Sequence, residues 1–229
     1  MDNIGPILLT ASTWILPALI AITFHEASHG YVALRFGDET ALRAGRVTFN
    51  PLRHVDPFGT ILLPLLLLMV RSPFLFGYAK PVPVNFGRLR NPRRDMVWVA
   101  AAGPGINLVL ALASALLIHI VPFLPAVAQA WALQNLINSI GLNVILAVFN
   151  MLPLPPLDGG RVAVGLLPDV LAYPLARLER WGMFIIIGGL FILPFIGSHM
   201  GLDLNIFSWL LGGPVNYLIQ LIASIAGLT

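Results

Sequence analysis

The stretch "ILLTASTWILPALIAITFHEASHGY", residues 7–31, joins a long apolar run to a short polar motif. Residues 7–24 contain no charged side chain, and this run approaches the roughly 20 apolar residues that span a bilayer. His25, Glu26 and His29 follow directly. Ionisable groups at membrane depth are costly and mark functional positions. The stretch therefore predicts a membrane helix that carries a polar site near one end.

The composition of the whole chain agrees with a membrane location. Of its 229 residues, 58% are hydrophobic and 10% are charged, and the mean hydropathy is +0.87. Soluble globular domains contain about 25% charged residues. Cysteine is absent, so any metal site must be built from histidine and carboxylate side chains. These values predict an integral membrane protein in contact with the lipid bilayer.

The basic residues indicate how the chain crosses the membrane. All thirteen Lys and Arg lie in two blocks, residues 35–94 and 161–180. Basic residues collect in short cytoplasmic loops, so the N-terminus is expected outside and the polar end of the first helix at the cytoplasmic face. The net charge of +3 would also suit a nucleic-acid-binding arm, but the two-block distribution favours topology, and no nucleic-acid partner is predicted.

The remaining apolar runs define the fold class. We predict an all-α polytopic membrane protein, a bundle of five to six transmembrane helices with a short re-entrant or β-like element after the first helix. After the first helix, crossings are expected near residues 96–121, 136–149, 181–197 and 205–228.

The segment between the first two clear crossings leaves two alternatives open. Residues 58–70 are apolar but short, and basic residues flank them on both sides, which favours a re-entrant segment over a sixth crossing. Residues 45–50, "GRVTFN", precede it and have a β-like composition that ends in an Asn-Pro turn signal.

The polar motif in the first helix is H-E-x-x-H. Residues four apart share one face of a helix, so His25 and His29 can bind the same ion. Glu26 adjoins the first histidine, where it can accept a proton from a water on that metal. Zinc is favoured, because imidazole suits it and a catalytic zinc site uses three protein ligands. The motif predicts one zinc ion per chain.

Asp158 is the strongest candidate for the third ligand. It lies in the stretch "NMLPLPPLDGG", residues 150–160. Three prolines interrupt the helix before it and two glycines follow it. Irregular backbone at membrane depth is tolerated where it lines a polar site. An aspartate that caps the next helix is the structural alternative.

These motifs resemble those of the site-2 protease family of intramembrane zinc metalloproteases. "NMLPLPPLDG" (residues 150–159) matches the family pattern N-x-x-P-x-P-x-L-D-G, and "AGPGIN" (residues 102–107) resembles its G-P-x-x-N element. The resemblance implies a single membrane-embedded metalloprotease domain over residues 1–229, with a catalytic core near 1–165 and two additional helices near 181–226.

The resemblance also implies roles for individual residues. His25, His29 and Asp158 would bind zinc, Glu26 would be the catalytic base, and Asn107 and Asn150 would contact the substrate. For either asparagine, an interhelical hydrogen bond is the alternative. The implied function is regulated intramembrane proteolysis, the hydrolysis of peptide bonds within or near transmembrane segments of other proteins. Residues 45–50 would pair with an unwound substrate strand.

The remaining expectations concern accessory domains, cellular location, two loop residues and an alternative function. Family members often carry a PDZ or regulatory domain, which this sequence does not show, so a regulatory membrane partner is expected. The chain is placed in a prokaryotic inner membrane with its site toward the cytoplasm. His54 and Asp56 are either an ordinary loop pair or groups near the metal. A transporter would also place ionisable residues in broken helices, but no second matching broken segment is present.

Overall fold

The computed structural model describes residues 4–62, residue 66 and residues 80–228. Within these ranges the regular structure is helical. The α-helices are α1 (Ile4–Arg35), α2 (Thr40–Arg43), α3 (Pro92–Leu117), α4 (Ala126–Asn150), α5 (Asp158–Leu166), α6 (Asp169–Arg177), α7 (Glu179–Ile187), α8 (Leu193–Met200) and α9 (Ile206–Ile225). The 3₁₀ helices are Pro51–Arg53, Phe86–Arg88 and Ile118–Phe123, and the π-helical turns are Pro57–Leu62 and Gly188–Ile192.

The first helix ends just before a glycine turn. α1 stops at Arg35, and Gly37 adopts a φ of 102°. This left-handed conformation suits glycine, which has no Cβ to clash with the following carbonyl. The backbone N–H of Asp38 then donates to the carbonyl of Ala33 at 2.9 Å. The chain therefore leaves the helix in a sharp turn about two helical turns beyond His29.

The helices that carry the site form one packed group. α1 packs against both α3 and α4, α3 packs against α4 and α5, and α9 packs against α4. Small side chains allow this close approach, since Ala111 and Ala115 of α3 are fully buried beside Val144 of α4. Small residues at helix interfaces are typical of membrane bundles. The bundle positions the polar end of α1 against the middle of α3.

Within the part of the chain that the structure describes, four helical segments are long and apolar enough to cross a membrane. They are Pro92–Phe123, Ala126–Asn150, Glu179–Met200 and Ile206–Ile225. Together with the apolar composition they indicate an integral membrane protein. The last two lie where the sequence predicts two additional helices. α1 is not among the four, so the predicted total of five to six crossings stays a prediction, as does the division into a core and additional helices.

The β-like element is not confirmed. The structure describes residues 45–50 as turn, bend and irregular backbone, and it contains no strand among residues 4–62 and 80–228. Phe49 stacks on Phe24 and Tyr31 of α1, with ring centroids 4.5 and 5.1 Å apart. A strand needs a hydrogen-bonded partner, and here the segment packs on a helix through its aromatic ring. Most of the predicted re-entrant segment, residues 58–70, lies outside the described residues.

A second irregular segment, residues 80–85, runs across the polar end of α1. Its backbone N–H groups donate at three points: Lys80 to the carbonyl of His54 at 2.9 Å, Val82 to Glu26 Oε2 at 2.7 Å, and Asn85 to Asp38 Oδ2 at 2.6 Å. Two prolines in this segment lack a donor and prevent regular sheet pairing. The segment is therefore fixed by these separate bonds.

Candidate metal centre

Three side chains converge between α1 and the start of α5. His25 and His29 lie on one face of α1, and their Nε2 atoms are 3.1 Å apart. Oδ2 of Asp158 lies 3.2 Å from Nε2 of His25 and 3.4 Å from Nε2 of His29. Both histidines are buried, with 8% and 9% exposure. The structure thus brings together the three residues that the sequence nominates as metal ligands, although this geometry alone does not test their role.

Hydrogen bonds on the far side of each ring fix where the imidazole protons sit. His25 Nδ1 lies 2.6 Å from the side-chain oxygen of Asn107, and His29 Nδ1 lies 2.7 Å from the carbonyl oxygen of Val99. Both oxygens only accept hydrogen bonds, so both Nδ1 atoms carry the proton. Each neutral ring therefore presents the lone pair of Nε2 to Asp158.

The centre consequently gathers three electron-pair donors without a proton between them. Oδ2 of Asp158 is buried and has no hydrogen-bond donor within the described part of the chain. Buried, unpaired lone pairs at this distance are unfavourable unless a cation lies among them. Among the described residues, His25, His29 and Asp158 form a cluster of three possible metal ligands, whose ligand atoms all lie within 4.8 Å of one another.

Zinc fits this donor set. Ligand atoms about 2.0–2.1 Å from a tetrahedral zinc ion lie about 3.3 Å from one another, close to the 3.1, 3.2 and 3.4 Å observed here. Two imidazole nitrogens and one carboxylate oxygen are typical of catalytic zinc, which keeps its fourth position open for water. Magnesium and calcium prefer all-oxygen sites. The residues present therefore fit a zinc ion held by His25, His29 and Asp158.

Gly103 of α3 makes room for the two imidazoles. A Cβ at this position would lie 2.5 Å from Nε2 of His29 and 2.6 Å from Cε1 of His25. Neither ring could keep its place at such distances. Gly103 lies four residues before Asn107, so both share one face of α3. In the sequence, only the place of Gly103 in the G-P-x-x-N element pointed to this residue.

Two glycines bring Asp158 to the histidines. A Cβ on Gly159 would lie 2.2 Å from the carbonyl oxygen of Met151, and one on Gly160 would lie 2.2 Å from the backbone nitrogen of Pro155. Both glycines belong to α5 and have no positive φ. Their function here is close packing of the first turn of α5 on the preceding loop. That contact places Asp158 beside α1.

Glu26 lies next to this cluster and is held by a separate bond. Its Oε2 accepts the backbone N–H of Val82 at 2.7 Å, and its side chain is half-buried. Val82 itself is buried at 9% exposure. The 80–85 segment therefore sets the direction of the Glu26 carboxylate, a contact that no local sequence pattern indicated.

The two asparagines differ in their surroundings. Asn107 is fully buried, and its side chain contacts His25 of α1, Asn143 of α4 and the carbonyl of Ala21. These are interhelical hydrogen bonds, the structural alternative for this residue. The Asn150 side chain donates to the carbonyl of Leu146 within α4 at 3.0 Å. Neither contact tests whether the asparagines bind substrate, and that role stays a prediction.

His54 does not join the cluster. It is 2% exposed, and its Nε2 lies 2.8 Å from the carbonyl oxygen of Thr48, six residues earlier. Oδ1 of Asp56 accepts the backbone N–H groups of Phe58 and Gly59. Among the described residues, the metal-ligand group contains neither of them. Both residues stabilise the turn that precedes the π-helical segment Pro57–Leu62.

Comparison with known proteins agrees with this geometry. The chain is 39% identical over 190 residues to the protein named "Putative zinc metalloprotease YwhC" of Bacillus subtilis, covering 81% of this chain and 82% of that protein. It is 31% identical over 190 residues to "Putative zinc metalloprotease Rip2" of Mycolicibacterium smegmatis, covering 82% of this chain and 68% of that protein. No family model matches, and no solved structure matches.

The extent of these matches defines the class of protein. A relative that is 39% identical to this chain, with 82% of its length covered, belongs to the same family as this chain. The chain belongs to the zinc metalloprotease family that includes YwhC and Rip2. Four membrane-length helices in this chain are compatible with proteolysis in the membrane.

Proposed function

We propose that this protein is an intramembrane zinc metalloprotease of the site-2 type, which hydrolyses peptide bonds within or near transmembrane segments of other proteins. The observation that carries the proposal is the convergence of His25, His29 and Asp158 inside a bundle of apolar helices. One zinc ion per chain would be held by these three residues. The names of the relatives support the metalloprotease chemistry.

Each residue of the site has a distinct task in this proposal. Zinc, when bound, lowers the pKa of a water molecule toward 7 and polarises the carbonyl of the peptide. Glu26 accepts the proton of the attacking water and then donates it to the nitrogen of the leaving amine. The Val82 N–H directs one carboxylate oxygen of Glu26 away from solvent, which leaves the other oxygen to take the proton.

Substrate binding is assigned to residues beside the metal centre. Asn150 lies at the end of α4, eight positions before Asp158. We propose that its side chain stabilises the substrate carbonyl oxygen that becomes negatively charged during hydrolysis. The substrate helix must unwind before its amide is accessible. Residues 45–50 are irregular and contact α1 through Phe49, and we assign this segment to pairing with an extended substrate.

The charge distribution supports a location for this activity. Arg35 follows the site by about two helical turns, and the other basic residues of the 35–94 block come after it in the sequence. Under the positive-inside rule this end faces the cytoplasm of a prokaryotic inner membrane. The partners are then transmembrane substrates, the surrounding lipid bilayer and a regulatory membrane protein.

The test uses Glu26→Gln. The glutamine side-chain oxygen still accepts the Val82 N–H, so the fold and the zinc content are expected to remain while proton transfer stops. Glu39→Gln is the matched control, since Glu39 is exposed and its ion pair among the described residues is with Arg43, four positions later. Bacterial membranes that contain each protein are compared for new peptide termini inside transmembrane segments.

The proposal predicts such termini with the unaltered protein and with Glu39→Gln, and none with Glu26→Gln. If Glu26→Gln produced the same termini as the unaltered protein, Glu26 would not be the base and the assignment would fail. A zinc-binding protein that yields no termini with any variant would instead indicate a scaffold that binds transmembrane helices.

A further inference from the structure

Three polar side chains, those of Asn143, Asn107 and His25, form a continuous chain through the interior of the bundle, from α4 to the metal centre. Asn143 donates through Nδ2 to the carbonyl oxygen of Ser139 at 2.9 Å. Asn107 donates through Nδ2 to Oδ1 of Asn143 at 2.7 Å, and His25 donates through Nδ1 to Oδ1 of Asn107 at 2.6 Å. Asn107 and Asn143 are both fully buried.

The direction of every hydrogen bond in this chain follows from two backbone carbonyls: that of Ser139, which faces the Asn143 amide, and that of Ala21, which accepts from Nδ2 of Asn107 at 3.4 Å. The carbonyl of Ser139 can only accept, so the atom of Asn143 that faces it must be the NH₂ group. The other end of the Asn143 amide is therefore an oxygen, which also only accepts. Asn107 must then present its NH₂ group to Asn143, and its own oxygen faces His25. Each step leaves a single arrangement in which all groups are satisfied.

The last step reaches the metal ligand. Because the Asn107 oxygen faces His25, the proton of the neutral imidazole resides on Nδ1, and the lone pair of Nε2 faces Asp158. If the Asn107 amide were reversed, its NH₂ group would meet Nδ1 and favour the tautomer with the proton on Nε2. That proton would occupy the position from which His25 binds a metal ion.

We propose that Asn143 is a positioning residue, which fixes the amide of Asn107 and thereby holds His25 in its metal-binding tautomer. This inference rests on the proposed zinc site. It assigns to α4 a part in metal binding, although α4 contributes none of the three ligand atoms. The only signal in the sequence is an asparagine inside the apolar run 136–149, and polar residues within membrane helices are usually partnered.

The chain provides a matched control on the same helix. Asn138 is also a buried amide of α4, at 5% exposure, and it donates to the carbonyl of Thr13 of α1 at 2.9 Å. It joins α4 to α1, but it takes no part in the hydrogen bonds of Asn107 and His25 that lead to the metal centre. Asn143→Leu and Asn138→Leu each replace one buried amide by an apolar side chain of similar size, so a purely structural role would affect both variants alike.

The experiment measures zinc affinity by chelator competition on the full-length protein in detergent micelles. Asn143→Leu is expected to bind zinc about 10-fold more weakly than the unaltered protein, the lower end of the range for loss of an outer hydrogen-bond partner. Asn138→Leu is expected to keep its zinc affinity. Equal affinity of Asn143→Leu and Asn138→Leu would overturn the proposal.

A second measurement does not depend on the variant folding well or on proteolysis. In the zinc-free, unaltered protein, the ¹⁵N resonances of the His25 ring report which nitrogen carries the proton. The proposal requires the Nδ1–H tautomer, and an Nε2–H tautomer would overturn it. A protein with the expected tautomer but no zinc affinity would refute the proposed function and leave the role of Asn143 on His25 intact.

Discussion

Oδ2 of Asp158 lies 3.2 Å from Nε2 of His25, although Asp158 begins α5 and His25 lies on α1. α3 packs against both of these helices. The metal centre therefore depends on how α1 and α5 are seated on α3. Changes at the ligands and at their supports should have separable effects.

Removal of the carboxylate should weaken zinc binding most. In Asp158→Ala the two histidines remain as the only protein ligands, so the loss of affinity should exceed the roughly 10- to 100-fold typical of an outer hydrogen-bond partner. Asp169→Ala is the control, because Asp169 is exposed and pairs with Arg93 on the surface. Competitive zinc titration measures the effect. Unchanged affinity in Asp158→Ala would show that another group completes the site.

The close contact of Gly103 with the two imidazoles predicts that alanine substitution at two glycines of α3 has different effects on zinc content and stability. Gly103→Ala places a methyl group 2.5 Å from Nε2 of His29, so we expect displacement of the rings, loss of zinc and a stability cost of about 1–3 kcal/mol. Gly105→Ala should be neutral or slightly stabilising, because a Cβ there meets nothing within 4 Å and alanine favours a helix. Zinc content and thermal unfolding in detergent distinguish the two variants. A zinc-replete Gly103→Ala protein would contradict this account.

Zinc should stabilise the fold selectively. A metal ion removes the repulsion among the lone pairs of His25, His29 and Asp158, so chelation is expected to lower the unfolding temperature. Zinc at 100 times its dissociation constant contributes about 2.7 kcal/mol. Magnesium should have no such effect, since it prefers oxygen ligands in octahedral geometry. The measurement is thermal unfolding with chelator, with zinc and with magnesium. Equal stabilisation by zinc and magnesium would argue against this donor set.

The 80–85 segment should loosen in acid. Burial opposes ionisation of Asp38, but hydrogen bonds from the Thr40 hydroxyl and from the N–H groups of Asn85 and Thr40 outweigh it and hold the pKa of Asp38 below its ordinary value of 3.8. A carboxylate whose pKa is lowered by folding stabilises the fold fully above the unfolded pKa. This stabilisation is lost as the pH falls below 3.8 and through the folded-state pKa.

Hydrogen exchange of residues 80–85, corrected for the intrinsic effect of pH, tests this expectation. Protection should fall in acid for the unaltered protein and for Glu39→Gln, whose side chain is exposed beside Asp38. In Asp38→Asn it should be lower already at neutral pH, with little further change in acid. Acid-resistant protection in the unaltered protein would mean that Asp38 does not hold the segment.

Much of the site is readable from the sequence because its signals are local. The spacing of His25 and His29 places them on one helical face whatever surrounds the helix, and Gly37 marks where that helix ends. Asp158 stands out because prolines and glycines surround it in an otherwise apolar chain. The apolar runs near 96–121 and 205–228 likewise correspond to helices long enough to cross a membrane.

Other predictions depended on contacts that no local pattern encodes. Residues 45–50 have a β-like composition, yet Phe49 finds aromatic partners on α1 and no strand partner is present among the described residues. Asn107 has hydrogen bonds to Asn143 and His25, and its predicted contact with substrate stays a prediction. These contacts follow from which side chains lie opposite one another, and periodicity carries no information about that.

The sequence by itself determined the membrane character, the pair of histidines with Glu26, and the choice of Asp158 as their partner. Composition and helical spacing suffice for these, since they concern one helix or one interrupted loop at a time. Only the tertiary structure decided that Gly103 receives the imidazoles, that Val82 orients Glu26, and that Asn143 reaches His25 through Asn107. These contacts join parts of the chain that are far apart in sequence, and close packing sets their distances. The small and polar residues that form them show no periodic pattern in the sequence.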